Sequence, residues 1–239
     1  MVIKQVRRKL YEYIVEEIGL RILKGSYKVG ETLPNEDTLS KELDISRGVL
    51  REATKVLTQK GLIRTRPKIG TQVTDRSQWN LFDPEVLTWK LQIEDKSSFL
   101  KEVTEVRRII ESEAAKYAAQ RADAEAVAKI RARLDDMLRF LESPGNYNYE
   151  TYLIKDMAFH SAVMDASNNE LLSQIAFTMR QAVYTARQLD IQAPEIHLQS
   201  MGFHESIYKA ISAHDPQAAY HASQEMFDQV WRYIPQDYI

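Results

Sequence analysis

Apolar residues recur every three or four positions along most of this chain, the period of an amphipathic helix. Val6, Leu10, Ile14, Ile18 and Ile22 are spaced by four and predict a helix over 4–24 that stops at Gly25. A loop fills 25–30. Asn35 is placed to cap a helix reaching Leu43, with Leu39 and Leu43 facing inward. Asp44-Ile45-Ser46 makes a turn, and Ser46 caps the next helix, 47–60, whose buried face is Val49, Ala53, Val56 and Leu57. Gly61 ends it. Residues 62–66 and 71–74 read as two short strands around Pro67-Lys68-Ile69-Gly70.

Beyond this segment the pattern is helical throughout. Asp83-Pro84-Glu85 supplies a cap, a proline at the first helical position and an acid in the first turn. Helices are expected over 84–93, 98–121, 123–142, 148–167, 170–190, 194–213 and 216–234. Ser143-Pro144-Gly145-Asn146, Asn168-Asn169 and Asp215-Pro216 punctuate them. Short connections between helices predict antiparallel neighbours. The fold class is therefore mainly α: an N-terminal winged helix-turn-helix and a C-terminal antiparallel bundle of six to seven helices. The expected domains are 1–75 and 84–239, joined by a linker over 76–83.

A chain of 239 residues, 44% apolar and 28% charged, is long enough for two modest cores. No apolar run approaches the ~20 residues of a membrane span, and the start MVIKQVRRKLYEY lacks the apolar stretch of a signal peptide. The absence of cysteine excludes disulfides and thiolate metal sites, and it fits a cytoplasmic location. The net charge of −2 conceals an asymmetry. Residues 1–76 carry 16 Lys+Arg against 10 Asp+Glu, whereas 77–239 carry 16 against 24. A basic head on an acidic body suggests that one domain meets a polyanion and the other does not.

Arg47, Arg51 and Lys55 follow at i, i+4 and i+8 on a stripe distinct from the buried one. Two arginines on a helix are by themselves an ordinary solvated face. Beside a capped turn, a preceding helix and a basic hairpin, they point to double-stranded DNA. An arginine fork reads guanine O6 and N7 bidentately, and two forks one turn apart reach neighbouring base pairs. Lys55, Arg64, Arg66 and Lys68 suit phosphate neutralisation, which sets affinity and salt dependence.

Three helices of the bundle carry polar groups on apolar seams. Arg107 interrupts the seam Leu100, Val103, Ile110, Ala114, Tyr117. Asp156 and His160 lie one turn apart on the face of Tyr149, Leu153 and Val163. His204 shares a stripe with Met201, Ile207 and Ile211. Buried charge is costly unless paired, so these groups should meet one another or a polar ligand. An Asp and two His form a workable divalent-metal set, while a plain buried Asp–His pair is the structural alternative. Arg107 could equally salt-bridge an internal carboxylate.

The runs LPNEDTLSKELDISR, SRGVLREATKVL, KGLI and IGTQV resemble the GntR family of bacterial transcription regulators. That resemblance implies operator contacts by Arg47 and Arg51, and a wing that approaches the minor groove at Gly70. Some relatives have a base-contacting arginine where this chain has Asp37, so that position is not expected to read a base here. EVRRIIESEAAKYAA, DMAFHSAVMDASNN and HESIYKAISAHDPQAA resemble the FadR-type ligand-binding (FCD) domain. In metal-dependent members an Asp and three His hold a divalent ion, such as zinc, beneath an effector carboxylate. Asp156, His160 and His204 match the first three ligands, Met226 stands at the fourth, and His221 is five residues away from it. Two readings follow: a three-ligand site with open coordination for a bidentate hydroxy acid, which is favoured, or loss of the metal. Arg107 matches the arginine that faces the effector's carboxylate.

RSQWNLFDPEVLTWKLQ is similar to the sugar-acid-responsive members of the family, such as galactonate operon repressors. The expected protein is thus a homodimeric repressor with no catalytic residues. It would bind a palindromic operator and leave it when a hexonate or uronate meets Arg107, Asp156, His160 and His204. The alternatives are a non-metal effector such as an acyl compound, and a helical metal-dependent enzyme with an appended DNA-binding head.

Overall fold

The computed structural model describes residues 2–143, 147–187 and 194–234, and the chain divides into two compact units, Met1–Glu94 and Asp95–Ile239. In the first unit α1 (Val2–Leu23) packs against α3 (Arg47–Gln59) and α4 (Pro84–Ile93), with α2 (Glu36–Glu42) beside α3. Ile14, Ile18 and Ile22 of α1 meet Leu39, Val49, Leu50, Ala53 and Leu57 in one buried cluster. Val6 lies outside the described side chains, Leu10 is largely exposed, and Leu50 is buried where Val56 is only partly so. The caps predicted at Asn35 and Ser46 form. Asn35 Oδ1 accepts from the Thr38 amide at 2.9 Å, and Ser46 Oγ accepts from the Val49 amide at 3.3 Å.

The wing is an antiparallel pair, β1 (Ile63–Arg66) with β2 (Gly70–Val73), in register from Ile63↔Val73 to Arg66↔Gly70. Gly61, at the end of α3, has φ +74°, and a Cβ there would lie 2.0 Å from the Gln78 carbonyl oxygen. A side chain has no room at this position, so the glycine both stops the helix and admits the returning chain.

The units divide elsewhere than at the expected 76–83 linker. Arg76–Gln78 form a 3₁₀ turn, Trp79 is buried and donates its indole N–H to the Thr74 carbonyl at 3.3 Å, and the Asn80 amide donates to the Lys60 carbonyl at 2.9 Å. The next helix, α4, belongs to the head as well. A Cβ on Gly19 of α1 would lie 2.5 Å from the Trp89 ring, so only glycine lets α4 come this close. Lys60 is buried at the end of α3, with Nζ 2.7 Å from Asp83 Oδ1 and 2.6 Å from Glu85 Oε2. Burial alone would lower its pKa, but these two carboxylates hold it above the ordinary lysine value. Trp79, Val86 and Trp89 thus bury their apolar surface in the first core rather than in the bundle.

The second unit consists of α5 (Lys96–Arg121), α6 (Ala124–Leu141), α7 (Tyr149–Ala166), α8 (Glu170–Arg187), α9 (Pro194–Ser212) and α10 (Pro216–Tyr233). Part of the expected turn, 144–146, and the last three residues of the helix expected over 170–190 lie outside the described residues. Helix α5 is central and packs against α7, α8, α9 and α10. Its stripe of Ala114, Ala115, Ala118 and Ala119 is fully buried, because small side chains let neighbouring helices approach closely. Asp95, Asp123, Asn148 and Asp215 cap α5, α6, α7 and α10. Among the described residues no helix is long and apolar enough to cross a membrane.

Candidate DNA-contact face and candidate metal and effector site

Helix α3 presents Arg47 and Arg51 to solvent, with side chains 63% and 66% exposed. Each is held by an acid from the first turn of α2: Arg47 Nε lies 2.8 Å from Asp37 Oδ1, and Arg51 Nε lies 2.6 Å from Glu36 Oε1. Lys55 pairs with Glu52 at 2.9 Å. Ion pairs this exposed are worth about 0–1 kcal/mol and are cheaply exchanged for a base or a phosphate. Arg66 and Lys68 are exposed on the hairpin, and Arg64 beside them is partly buried. Gly70 has φ +97°, a left-handed conformation that a side chain would strain, and it closes the wing opposite Arg66.

The second site lies inside the bundle. His204 of α9 has Nδ1 3.0 Å from the Ser200 carbonyl oxygen and Nε2 3.1 Å from Asp156 Oδ1 of α7. His160, one turn from Asp156, has Nδ1 2.9 Å from Glu111 Oε2 of α5 and Nε2 3.9 Å from Asp156 Oδ1. Among the described residues, Asp156, His160 and His204 are the one group of three potential ligands, with ligand atoms all within 4.8 Å of one another.

Nδ1 of His204 faces the Ser200 carbonyl and Nδ1 of His160 faces the Glu111 carboxylate, so both Nε2 atoms point toward Asp156. Burial lowers the His160 pKa and favours its neutral form. For Asp156, burial would raise the pKa, but the neighbouring His160 and His204 outweigh it and hold the carboxyl well below the usual range. A carboxylate oxygen and two ring nitrogens therefore converge, and with Nδ1 protonated in both rings they would offer a cation three lone pairs. Because the Nδ1 partners set the tautomer and ring direction, this donor set fits a divalent metal.

Arg107 is buried, and its Nε donates to Glu111 Oε1 at 2.7 Å. Glu111 is thus the bridge between Arg107 and His160. It is 3% exposed, and although burial opposes ionisation, Arg107 and then His160 pull its pKa well below the ordinary value. Arg180 of α8 approaches the same carboxylate, with Nη1 3.7 Å from Glu111 Oε2. Sequence reasoning missed both Glu111 and Arg180. Glu111 lies four residues after Arg107, and that i, i+4 spacing was a usable signal. Arg180 sits on an amphipathic helix with polar residues on several sides, and nothing in its neighbours marks it as buried.

Comparison with known families settles the class. Residues 10–73 match the bacterial regulatory proteins of the gntR family, and residues 102–229 match the FCD domain. The chain belongs to the GntR family of transcription regulators. It carries the FadR-type pairing of a gntR head with an FCD domain and is a DNA-binding regulator, not an enzyme. An uncharacterized HTH-type regulator, YieP of Escherichia coli K12, is 32% identical over 92% of this chain and 93% of its own length. The galactonate operon transcriptional repressor of the same organism is 29% identical over 89% and 91%. Among solved structures, Lar, which controls the Listeria monocytogenes agr system, superposes with a TM-score of 0.61 at 20% identity, covering 95% of this chain and 94% of its own. That likeness supports the mainly α fold.

Within this GntR regulator the position expected for a fourth metal ligand is Met226, which is buried in the bundle core. His221 is exposed and stacks edge-on with Tyr220, away from that core. It therefore does not join the group formed by Asp156, His160 and His204.

Proposed function

We propose that this regulator is a homodimeric repressor that binds a palindromic operator through Arg47 and Arg51 and releases it on binding a small sugar acid. The observation that supports this most is the meeting of the Asp156, His160 and His204 trio with a buried arginine on Glu111, four helices contributing to one polar centre. Asp156, His160 and His204 would hold a divalent ion, which would act as a Lewis acid toward a carboxylate and an adjacent hydroxyl. Arg107 orients the acid, Lys55, Arg66 and Lys68 neutralise phosphates with Arg64 beside them, and Gly70 shapes the wing for the minor groove. The relatives named for galactonate and Uxu operons favour a hexonate or uronate. Since a relative named for the Glc operon is an activator, the sign of regulation is set by the individual protein.

An effector can shift operator affinity only through unequal affinity for two states of the dimer. The test is operator binding by fluorescence anisotropy with galactonate added, on metal-loaded and chelated protein, beside elemental analysis and a size measurement. Release that needs the metal supports the reading; operator binding unaffected by any sugar acid refutes it. Arg107→Lys keeps a cation beside Glu111 but loses the fork, so it should retain operator binding while weakening the response. Met226 favours a second reading, a non-metal effector such as an acyl compound. A protein that purifies without metal and whose release by ligand ignores chelator would support that reading.

A further inference from the structure

Arg180 belongs to this buried centre but is assigned neither to the metal trio nor to the first carboxylate, and its surroundings are unusual. It is 2% exposed, on α8. Nη2 donates to Ser161 Oγ at 3.3 Å, whereas Nε and Nη1 have no hydrogen-bond partner among the described residues. The carboxylate within reach is Glu111: Oε1 accepts from Arg107, and Oε2, which has no hydrogen-bond partner among the described residues, lies closer to His160 Nδ1 at 2.9 Å than to Arg180 Nη1 at 3.7 Å. Asp156 faces the two imidazoles. Two buried guanidiniums therefore share one carboxylate.

A buried cation that is incompletely paired is costly, and an apolar side chain of similar length would be cheaper for the fold. What arginine offers in exchange is a rigid fork matched to a carboxylate. Charge balance points the same way. Arg107 and Arg180 are offset by Glu111 and Asp156, and a divalent ion on the trio would leave two uncompensated positive charges. A monocarboxylate removes one of them.

We propose that Arg180 is a second anion anchor and that the effector is a dianion, a hydroxylated dicarboxylic acid with one carboxylate at the metal trio and Arg107 and the other at Arg180. The proposal rests on the reading of this centre as a sugar-acid site. It narrows the class from hexonates to their doubly oxidised counterparts.

The test compares galactonate with galactarate, which differ by a terminal CH2OH against a carboxylate, on full-length zinc-loaded protein by isothermal titration calorimetry. A charge-assisted pair is worth about tenfold or more in affinity, so galactarate should bind wild type at least about tenfold more tightly. Arg180→Met should erase that preference, weakening galactarate about tenfold more than galactonate, and raise the melting temperature of the ligand-free protein, because it removes an under-paired charge. Arg180→Lys keeps the charge without the fork, and should lose part of the preference; it serves if the methionine variant fails to fold. Equal affinity of wild type for the two acids, or equal loss of both in the variants, overturns the second anchor and leaves the sugar-acid reading standing. If wild type binds neither acid, both fall.

Discussion

Arg51 shows how exposure decides what a side chain is for. Its bond to Glu36 is short, yet both partners face water, and the pair contributes about 0–1 kcal/mol. A bidentate contact to guanine is worth about 1–3 kcal/mol of discrimination. A base contact of that size would outweigh the ion pair with Glu36. Arg51→Ala should lose about 1–3 kcal/mol on the operator and much less on scrambled DNA. Equal losses in a competition gel shift would make it a phosphate contact. Glu111 is the opposite case, an ion pair out of water, and Glu111→Gln frees His160 to turn. Loss of such a supporting carboxylate should weaken zinc binding by about 10–100-fold in a chelator competition; unchanged affinity would show that the trio needs no such support. The sequence made Arg51 legible because an exposed stripe shows in helical spacing. It left Glu111 ambiguous, because the same i, i+4 spacing describes a surface pair.

At the scale of elements, local chemistry carried most of the fold. Asn35, Ser46 and Asp83 each accept a backbone N–H where a cap was expected, and α4 spans Pro84–Ile93 as its first-turn signals predicted. The division into units was less legible. Trp79, Val86 and Trp89 could bury themselves against either core, and periodicity does not say which partner a helix finds. The notch at Gly19 and the Lys60 latch to Asp83 and Glu85 decide for the head. Gly61 tests how tightly this junction is built. Gly61→Ala forces alanine into a left-handed conformation, costing about 1–3 kcal/mol, and meets the Gln78 carbonyl besides. Chemical denaturation should show a destabilisation at or above that range. A neutral substitution would mean the chain between β2 and α4 can shift freely.

For the whole molecule, the charge asymmetry of the sequence reappears as a division of labour. The basic first third exposes its cations on α3 and the wing, and the acidic remainder encloses its most consequential charges. Enclosed carboxylates make stability depend on pH. Glu111 is held below its ordinary pKa in the fold, so the unfolded chain takes up the proton first as pH falls. Its contribution is complete above the ordinary value near 4.5 and is lost as pH drops from there toward the depressed folded value. The melting temperature of metal-free protein should fall over that interval. Glu111→Gln should be less stable at neutral pH and flatter through it, and an identical pH profile would remove Glu111 from the acid response.

Taken alone, the sequence determined the helix-turn-helix head, the wing, the helical body and the alignment of Asp156, His160 and His204 on apolar seams. Each of these follows from caps, glycines and spacing, which act within a few residues. The tertiary structure alone decided that Arg47 and Arg51 are held by Asp37 and Glu36, that α4 serves the head, and that Glu111 and Arg180 join the buried centre. Those outcomes depend on which helices meet and at what depth, and burial sets the energy of a charge far more strongly than its neighbours in the chain.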